Sequence, residues 1–174
     1  MPGLFYHTEE DVKDAEDYVE RTLIAKAIDG ALITPSDAPK AVRDLLPHTD
    51  LGIGSNNHWT FNLSTTGSNT LVDNKDLEGK KMIMIYGFAL LSPEPSISTI
   101  EFYKGTAKLI DKVQVEGVLA GVGPLSGRGY LKNPIFWDKN DSVTIKAEAW
   151  QTNSDERLVF YGKVAEKPGK VIGS

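Results

Sequence analysis

Histidine and cysteine build many metal and nucleophilic sites, and this chain offers few of them. It contains three histidines and no cysteine, which excludes disulfides, thiolate-bound zinc and a cysteine nucleophile. His7, His48 and His58 lack partners at metal-ligand spacing, and none belongs to an H-x-E or H-E-x-x-H pattern. His58 precedes Trp59 in a predicted strand. The pattern indicates ordinary surface or interface histidines and predicts no metal ligand.

Carboxylates are the second source of chemistry, because a suitably placed pair can hydrolyse glycosides. Glu101, Glu116 and Glu148 all fall in predicted strands. Glu116 and Glu148 share the parity of their polar neighbours, which predicts a solvated face instead of a catalytic pair. The chain has no G-x-S-x-G elbow, and nothing indicates a Ser-His-Asp triad. We therefore expect no enzyme, and assign no catalytic residue, cofactor or metal.

Two polar segments resemble ligand-binding loops. The glycine-rich segment 121–129 lacks the G-x-G-x-x-G spacing and joins two strand-like runs, which indicates an inter-strand loop with Arg128 as a partner-binding residue. Asp138, Asn140 and Asp141 carry oxygen ligands suited to Ca²⁺, but their spacing does not match an EF-hand loop. Polar turns favour the same residue types, so a turn is predicted and ion binding stays open.

Aromatic side chains offer either a sugar-stacking platform or core and interface packing. Core packing is the prediction for most of the six that we consider, whereas strict alternation places Trp150 on the polar face of its strand. A tryptophan exposed at a strand end suits a protein or glycan contact. The six are Trp59, Phe61, Trp137, Trp150, Phe160 and Tyr161.

Composition excludes several classes of protein. The net charge is −5, and lysines and arginines are scattered, which argues against direct nucleic-acid binding. The stretch 9–20 is strongly acidic. The longest apolar run, Met82–Leu91, is much shorter than the roughly 20 residues of a membrane span. No basic segment followed by an apolar one begins the chain, so no secretory signal is expected.

Helical periodicity is confined to the first 50 residues. Thr8 precedes an acidic first turn, and Gly30 follows the last position of one apolar stripe, so a helix is predicted between them. A second, short helix is predicted from Asp37 to Pro47. The stripe of the first helix consists of Val12, Ala15, Val19, Leu23 and Ala27.

Short β-rich runs separated by turn residues fill the remainder of the chain. Ser142–Trp150 alternates as a half-buried antiparallel strand does, whereas Met82–Leu91 is apolar on both parities, as in a central strand covered on both faces. In Thr106–Gly117, Asp111 breaks the alternation, which indicates a bend or bulge. The other predicted strands are His58–Leu63, Thr70–Val72, Ile97–Tyr103, Gly129–Trp137 and Arg157–Val164.

About eight strands without intervening helices predict an all-β fold. We expect an eight-stranded antiparallel jelly-roll sandwich or barrel with an N-terminal helical segment. The predicted division is a helical arm at residues 1–50 and a β-barrel domain at residues 51–174. Whether the arm packs on the barrel or exchanges between subunits stays open.

Four segments of the β region resemble a known family: Lys81–Phe88, Gly129–Trp137, Ser142–Ile145 and Glu156–Val164. They are similar to the single-jelly-roll capsid proteins of tailless icosahedral double-stranded DNA viruses with an internal membrane, a family that includes the smaller major capsid proteins of phages of thermophilic bacteria. The resemblance implies a structural virion protein, assembled in the host cytoplasm. Such a protein self-associates, packs with a second capsid protein and touches the membrane surface.

Two other functions remain open. A carbohydrate- or receptor-binding β-sandwich would expose Trp59, Trp137 or Trp150. An enzyme on a β-barrel, either cupin-like or glycoside-acting, would need clustered histidines or paired acids, and three dispersed histidines fit a cupin poorly.

Overall fold

The computed structural model of the protein describes residues 4–5, 9–110, 112–115 and 127–168. Strands make up 48% of the residues that the structure describes and form two antiparallel sheets, and a long helix lies near the N-terminus. The predicted all-β class with an N-terminal helix is therefore confirmed. The helices are α1 Glu9–Asp29, α2 Ala38–Ala41 and α3 Pro47–Leu51. The strands are β1 Leu4–Phe5, β2 Val42–Asp44, β3 Thr60–Leu63, β4 Gly67–Asp76, β5 Lys81–Leu90, β6 Ile97–Lys104, β7 Ala107–Lys108, β8 Val113–Gln114, β9 Arg128–Trp137, β10 Ser142–Ala149 and β11 Asn153–Glu166.

Strand pairing is antiparallel throughout the described sheets. Sheet 1 has the order β1-β9-β5-β11-β2, and β3 also pairs with β11. Sheet 2 has the order β4-β10-β6-β7, and β8 also pairs with β6. The predicted strand at 106–117 is divided into β7 and β8, and Asp111, where a bulge was predicted, lies outside the described residues.

The core between the sheets is apolar and rich in aromatic residues. Trp137, Phe88, Phe102 and Phe160 are among its largest fully buried side chains. Phe102 meets Phe160 edge to face, with ring centroids 5.8 Å apart. In β10, the predicted inward set is confirmed, because Val143, Ile145, Ala147 and Ala149 all belong to this core.

Helix α1 covers part of the outer face of sheet 1. Its acidic first turn suits the positive end of the helix dipole. Its buried residues, Val19, Leu23 and Ala27, form a second apolar cluster with Met82 and Met84 of β5. Because Ile83 and Ile85 of the same strand face the core between the sheets, β5 is covered on both faces, as its composition predicted.

The backbone at Gly30, just after α1, lies close to neighbouring atoms, which leaves little space for a side chain. A Cβ atom added at Gly30 would lie 2.7 Å from the Met82 side chain. The helix ends at Asp29, next to the predicted stop at Gly30, and Ala31 adopts the left-handed conformation that commonly follows a helix, with φ of 57°. Thr8, the predicted N-cap, lies outside the described residues.

A buried lysine also joins α1 to sheet 1. Lys163 of β11 forms ion pairs with Glu16 at 2.7 Å and Glu20 at 3.2 Å on the helix, and with Asp44 at 2.6 Å on β2. Burial alone would lower the pKa of Lys163, but its hydrogen bonds to these carboxylates raise it overall. The helix is thus held by charge as well as by apolar packing.

The predicted second helix is wrong beyond Ala41. Val42–Asp44 is strand β2, because it pairs with β11, and these backbone hydrogen bonds outweigh a weak helix preference. Pro47 begins α3 instead of ending a helix, which suits a residue without an N–H at the first turn. Segment 9–51 is therefore joined to sheet 1, because α1 packs on that sheet and β2 is one of its strands.

Candidate interaction surface at one end of the sandwich

Three strand connections lie together at one end of the sandwich, which we call the loop end. Pairing of β3 and β5 with β11, and of β4 with β10, brings them to the same end. The opposite end carries tight polar turns at 77–80 and 138–141. The loop end consists of connections 64–66, 91–96 and 150–152.

Glu156 ties two of these connections together. It is fully buried, and its Oε2 accepts hydrogen bonds from the backbone N–H of Ser96 at 3.0 Å and from Asn153 Nδ2 at 3.1 Å. The Ser96 hydroxyl binds Gln151 Nε2, and the Ser96 carbonyl accepts from Trp150 N. The other oxygen, Oε1, has no hydrogen-bond partner among the residues that the structure describes. The loop end is therefore organised around a buried carboxylate.

Glu156 was not singled out from the sequence, although a signal was present. It has the same parity as Leu158 and Phe160, both of which face the core. A charged residue in phase with core positions of a strand indicates a buried charge, and such charges need partners.

Two large apolar side chains are exposed on the loop end. Leu91, directly after β5, is 58% exposed, and Trp150, directly after β10, is 56% exposed. The alternation of β10 predicted the position of Trp150 correctly, since its neighbour Ala149 is buried. Both side chains are thus available for contact with another molecule.

A groove of about 780 Å³ opens beside this end. Trp59 lines it and is partly buried, because the indole packs edge to face on Phe160 at a centroid distance of 5.7 Å. The remaining lining comes from the segment before β3, from β3 itself, and from β11 and Leu91. These residues are Gly54, Ser55, Asn56, Asn57, His58, Thr60, Phe61, Asn62, Leu91, Ser154, Arg157 and Val159.

The wall of the groove is fixed by hydrogen bonds to α3. Asn57 Oδ1 accepts from the backbone N–H groups of His48 at 3.0 Å and Thr49 at 3.1 Å. The His48 ring binds the Gly54 carbonyl at 2.7 Å. Gly54 itself has φ of 64°, which glycine adopts without strain. His48 thus has a structural contact, whereas His58 lines the groove, and His7 lies outside the described residues.

A second, more polar cavity of about 420 Å³ lies beside the groove. It shares Asn62 and Ser154 with the first cavity. Its other lining residues are Leu63, Ser64, Thr152 and Asn153. The two cavities therefore lie next to each other along β3 and the beginning of β11, and we call them together the elongated depression.

The other candidate aromatic residues serve the core. Trp137 is fully buried, and its indole N–H donates to the Tyr103 carbonyl at 3.0 Å. Phe61 and Phe160 are also buried. Tyr161 is partly buried and stacks on Tyr130 at 5.7 Å. Core packing was therefore the correct prediction for most of the six, and they form no common platform.

Glu101 and Glu148 are brought together on the outer face of sheet 2, where both pair with Lys112. A hydrogen bond from Lys112, followed by one from Thr99, lowers the pKa of Glu148. A general acid for glycoside hydrolysis needs a raised pKa, so this pair suits a solvated ionic contact better. Glu116 lies outside the described residues.

The candidate calcium ligands form a hydrogen-bonded turn. Asp141 Oδ2 accepts from the Asp138 N–H at 2.7 Å and pairs with Lys104 at 3.0 Å. Asp138 Oδ1 accepts from the Lys139 N–H. Within the described ranges, no group of three or more histidine or acidic residues is placed to hold a metal ion.

Two further sequence features concern loops and membranes. Most of the glycine-rich segment 121–129 lies outside the described residues, but Arg128 begins β9 and is exposed. No helix in the described part of the chain has the length and hydropathy that crossing a bilayer requires.

No family model, no curated protein and no solved structure matches this chain. The similarity to capsid proteins therefore stays a resemblance, carried by the sequence patterns described above. What the protein does must be inferred from its own fold and side chains.

Proposed function

We propose that this chain is a structural capsid protein, which self-associates and packs with a second capsid protein to form an icosahedral shell. The order of strand pairing is the observation that carries the proposal. After the two-residue β1, the last strand, β11, pairs with the next two strands, β2 and β3; β10 pairs with β4; β9 pairs with β5; and β6 pairs with β7 and β8. This nesting of first with last supports an eight-stranded jelly roll with two Greek keys.

Jelly rolls occur in viral capsids, lectin domains and cupins. The described histidines, His48 and His58, form no metal cluster, which favours the first two classes over a cupin. The exposed Leu91 and Trp150 suit lateral contacts between copies or with a larger shell protein. In this proposal the protein resides in the virion, is assembled in the host cytoplasm, touches the internal membrane only from its surface and does not bind the genome.

Self-association can be tested by multi-angle light scattering across protein concentration and salt. We expect a mass above that of the monomer that rises with concentration, and a shift toward monomer in the variant Leu91→Ser/Trp150→Ser. The thermal midpoint of this variant checks that it remains folded. A strict monomer up to the solubility limit, at every salt concentration, would contradict self-association.

The second candidate function is that of a carbohydrate- or receptor-binding β-sandwich. The groove beside Trp59 favours it, because a concave site with an aromatic wall and several amide and hydroxyl groups is typical of small polar ligands. This function is compatible with a place on a shell surface.

A further inference from the structure

We propose that the elongated depression along β3 binds an extended oligosaccharide chain, with Trp59, Asn56, Asn62, Ser154 and Arg157 as its principal contacts. This inference gives the carbohydrate-binding candidate a site and a ligand class, and rests on that candidate function. It does not depend on shell formation, since none of these contacts is Leu91 or Trp150 and Trp150 lies outside both cavities, although Leu91 also lines the groove.

The aromatic wall is the first element of the site. Trp59 lines the groove, and its edge-to-face contact with Phe160 fixes the orientation of the indole. An indole offers an apolar surface for the C–H groups of a sugar ring and one N–H donor for a hydroxyl. Val159 extends the apolar part of the lining.

Unused hydrogen-bonding groups are the second element. Within the described part of the chain, the side chains of Asn56, Asn62 and Ser154 form no hydrogen bond, and neither does the indole N–H of Trp59. An amide side chain both donates and accepts, as does each sugar hydroxyl, so the two groups are complementary. By contrast, the side-chain oxygen of Asn57 already accepts hydrogen bonds from α3 and holds the wall of the groove in place.

Length and charge define the class of ligand. The two cavities share Asn62 and Ser154, so a chain of consecutive sugar units lying across these residues would contact both cavities. Their described linings include no aspartate or glutamate, although the protein carries a net charge of −5. Arg157 lines the groove, and its ion pair with Asp155 is long, at 3.6 Å. A neutral or uronic-acid-containing chain therefore fits better than a cationic ligand.

The site is also organised before a ligand arrives. The bonds from Asn57 to α3 and from His48 to Gly54 hold the segment that carries Asn56 and Trp59. Pre-organisation of this kind reduces the entropy that binding would otherwise cost.

The test uses the full chain and an array of neutral and uronic-acid-containing hexasaccharides, followed by isothermal titration calorimetry with the strongest binder. We expect Asn62→Ala and Arg157→Ala each to weaken binding by about tenfold, and the matched control Trp150→Ala to change it by less than about twofold. Trp59→Ala should abolish binding. If that variant fails to fold, as its thermal midpoint will show, the Asn62 and Arg157 variants decide the question.

Three results would overturn the proposal: no hexasaccharide binds, binding is unchanged in both Asn62→Ala and Arg157→Ala, or the groove captures extended peptides and no sugar. Light scattering of the same variants separates this site from shell formation. Asn62→Ala should lose the sugar and keep the oligomeric mass, whereas Trp150→Ser, which lies outside both cavities, should keep the sugar and lower the oligomeric mass.

Discussion

The outer faces of the two sheets of this sandwich differ, because one is covered by a helix and the other is exposed to solvent. Sheet 1 presents Met82 and Met84 outward, and α1 buries them. Sheet 2 presents Glu101, Lys146 and Glu148 outward, and these side chains lie partly in solvent. One chain thus contains a sheet that requires a cover and a sheet that does not, which explains why β5 is apolar on both parities while β10 alternates.

The ionic groups of the two regions differ in the same way. At the edge of sheet 1, Asp50 is fully buried and binds Arg43 through two hydrogen bonds of 2.8 Å and Lys81 through one of 2.9 Å. On sheet 2, Lys112 and Glu148 are 46% and 39% exposed. Breaking a buried ion pair is strongly destabilising, whereas exposed pairs contribute little. The comparison predicts different costs for similar substitutions.

The largest effect should come from Asp50→Asn. The asparagine side chain keeps one acceptor oxygen, but the substitution removes the negative charge that Arg43 and Lys81 both contact. We therefore expect a loss of about 3–5 kcal/mol in the free energy of unfolding. Urea unfolding followed by circular dichroism measures this loss. A loss below about 1 kcal/mol would mean that the buried network behaves like a surface pair.

Leu23→Ala should rank next, because it weakens the cover of sheet 1. Leu23 is fully buried between α1 and the sheet, and comparable substitutions cost about 2–5 kcal/mol. The matched control on the same helix is Tyr18→Ala, which removes an exposed side chain and should stay within about 0.5 kcal/mol. Equal losses in the two variants, measured by urea unfolding, would show that α1 does not seal this face.

Lowering the pH should reduce the stability that the Asp50 network gives to the unmodified protein. Burial alone would raise the pKa of Asp50, but hydrogen bonds from Arg43 and the Leu46 N–H outweigh it, with a further contribution from the charge of Lys81, and the pKa is lowered. Because the folded-state pKa lies below the unfolded one, this stabilisation is present above about pH 4 and is lost as pH falls through the folded-state value.

The measurement is urea unfolding from pH 6 downward, with Asp50→Asn as the reference. As the pH falls, the free energy of unfolding should decrease more steeply for the unmodified protein than for the variant. The difference in stability between the two proteins should therefore narrow. Parallel pH profiles would show that Asp50 does not contribute to acid sensitivity.

Local patterns predicted the elements that depend on local chemistry. The stripe and acidic first turn located α1, and the alternation of β10 gave its buried face and the exposed position of Trp150. Strand β2 was missed because its structure depends on pairing with β11, about 120 residues away in the sequence. The order of the strands in the sheets could not be predicted for the same reason, because it depends on pairing between segments that are far apart in the sequence.

The candidate site was predicted only in part. From the sequence, Trp59 and Trp150 were alternative candidates for one exposed tryptophan of a carbohydrate- or receptor-binding site. In the structure they lie on different surfaces, because Trp59 lines a groove and Trp150 is exposed directly after β10. Asn56 and Asn62 were not singled out, because one precedes the predicted strand His58–Leu63 and the other is an ordinary polar position within it. Only the pairing of β3 with β11 brings Asn62 beside Ser154.

The smallest effect should come from Glu148→Gln on sheet 2. Like Asp50, Glu148 is a carboxylate whose pKa is lowered by a neighbouring cation, here Lys112. Water and salt screen this exposed pair, Lys112 remains hydrated when the charge is removed, and the amide oxygen of a glutamine can still accept from Thr99. We therefore expect no measurable change in the urea midpoint, at low or high salt. A loss as large as that of Asp50→Asn would mean that the outer face of sheet 2 is ordered by its charges, and the contrast between a covered sheet and a solvated one would fail.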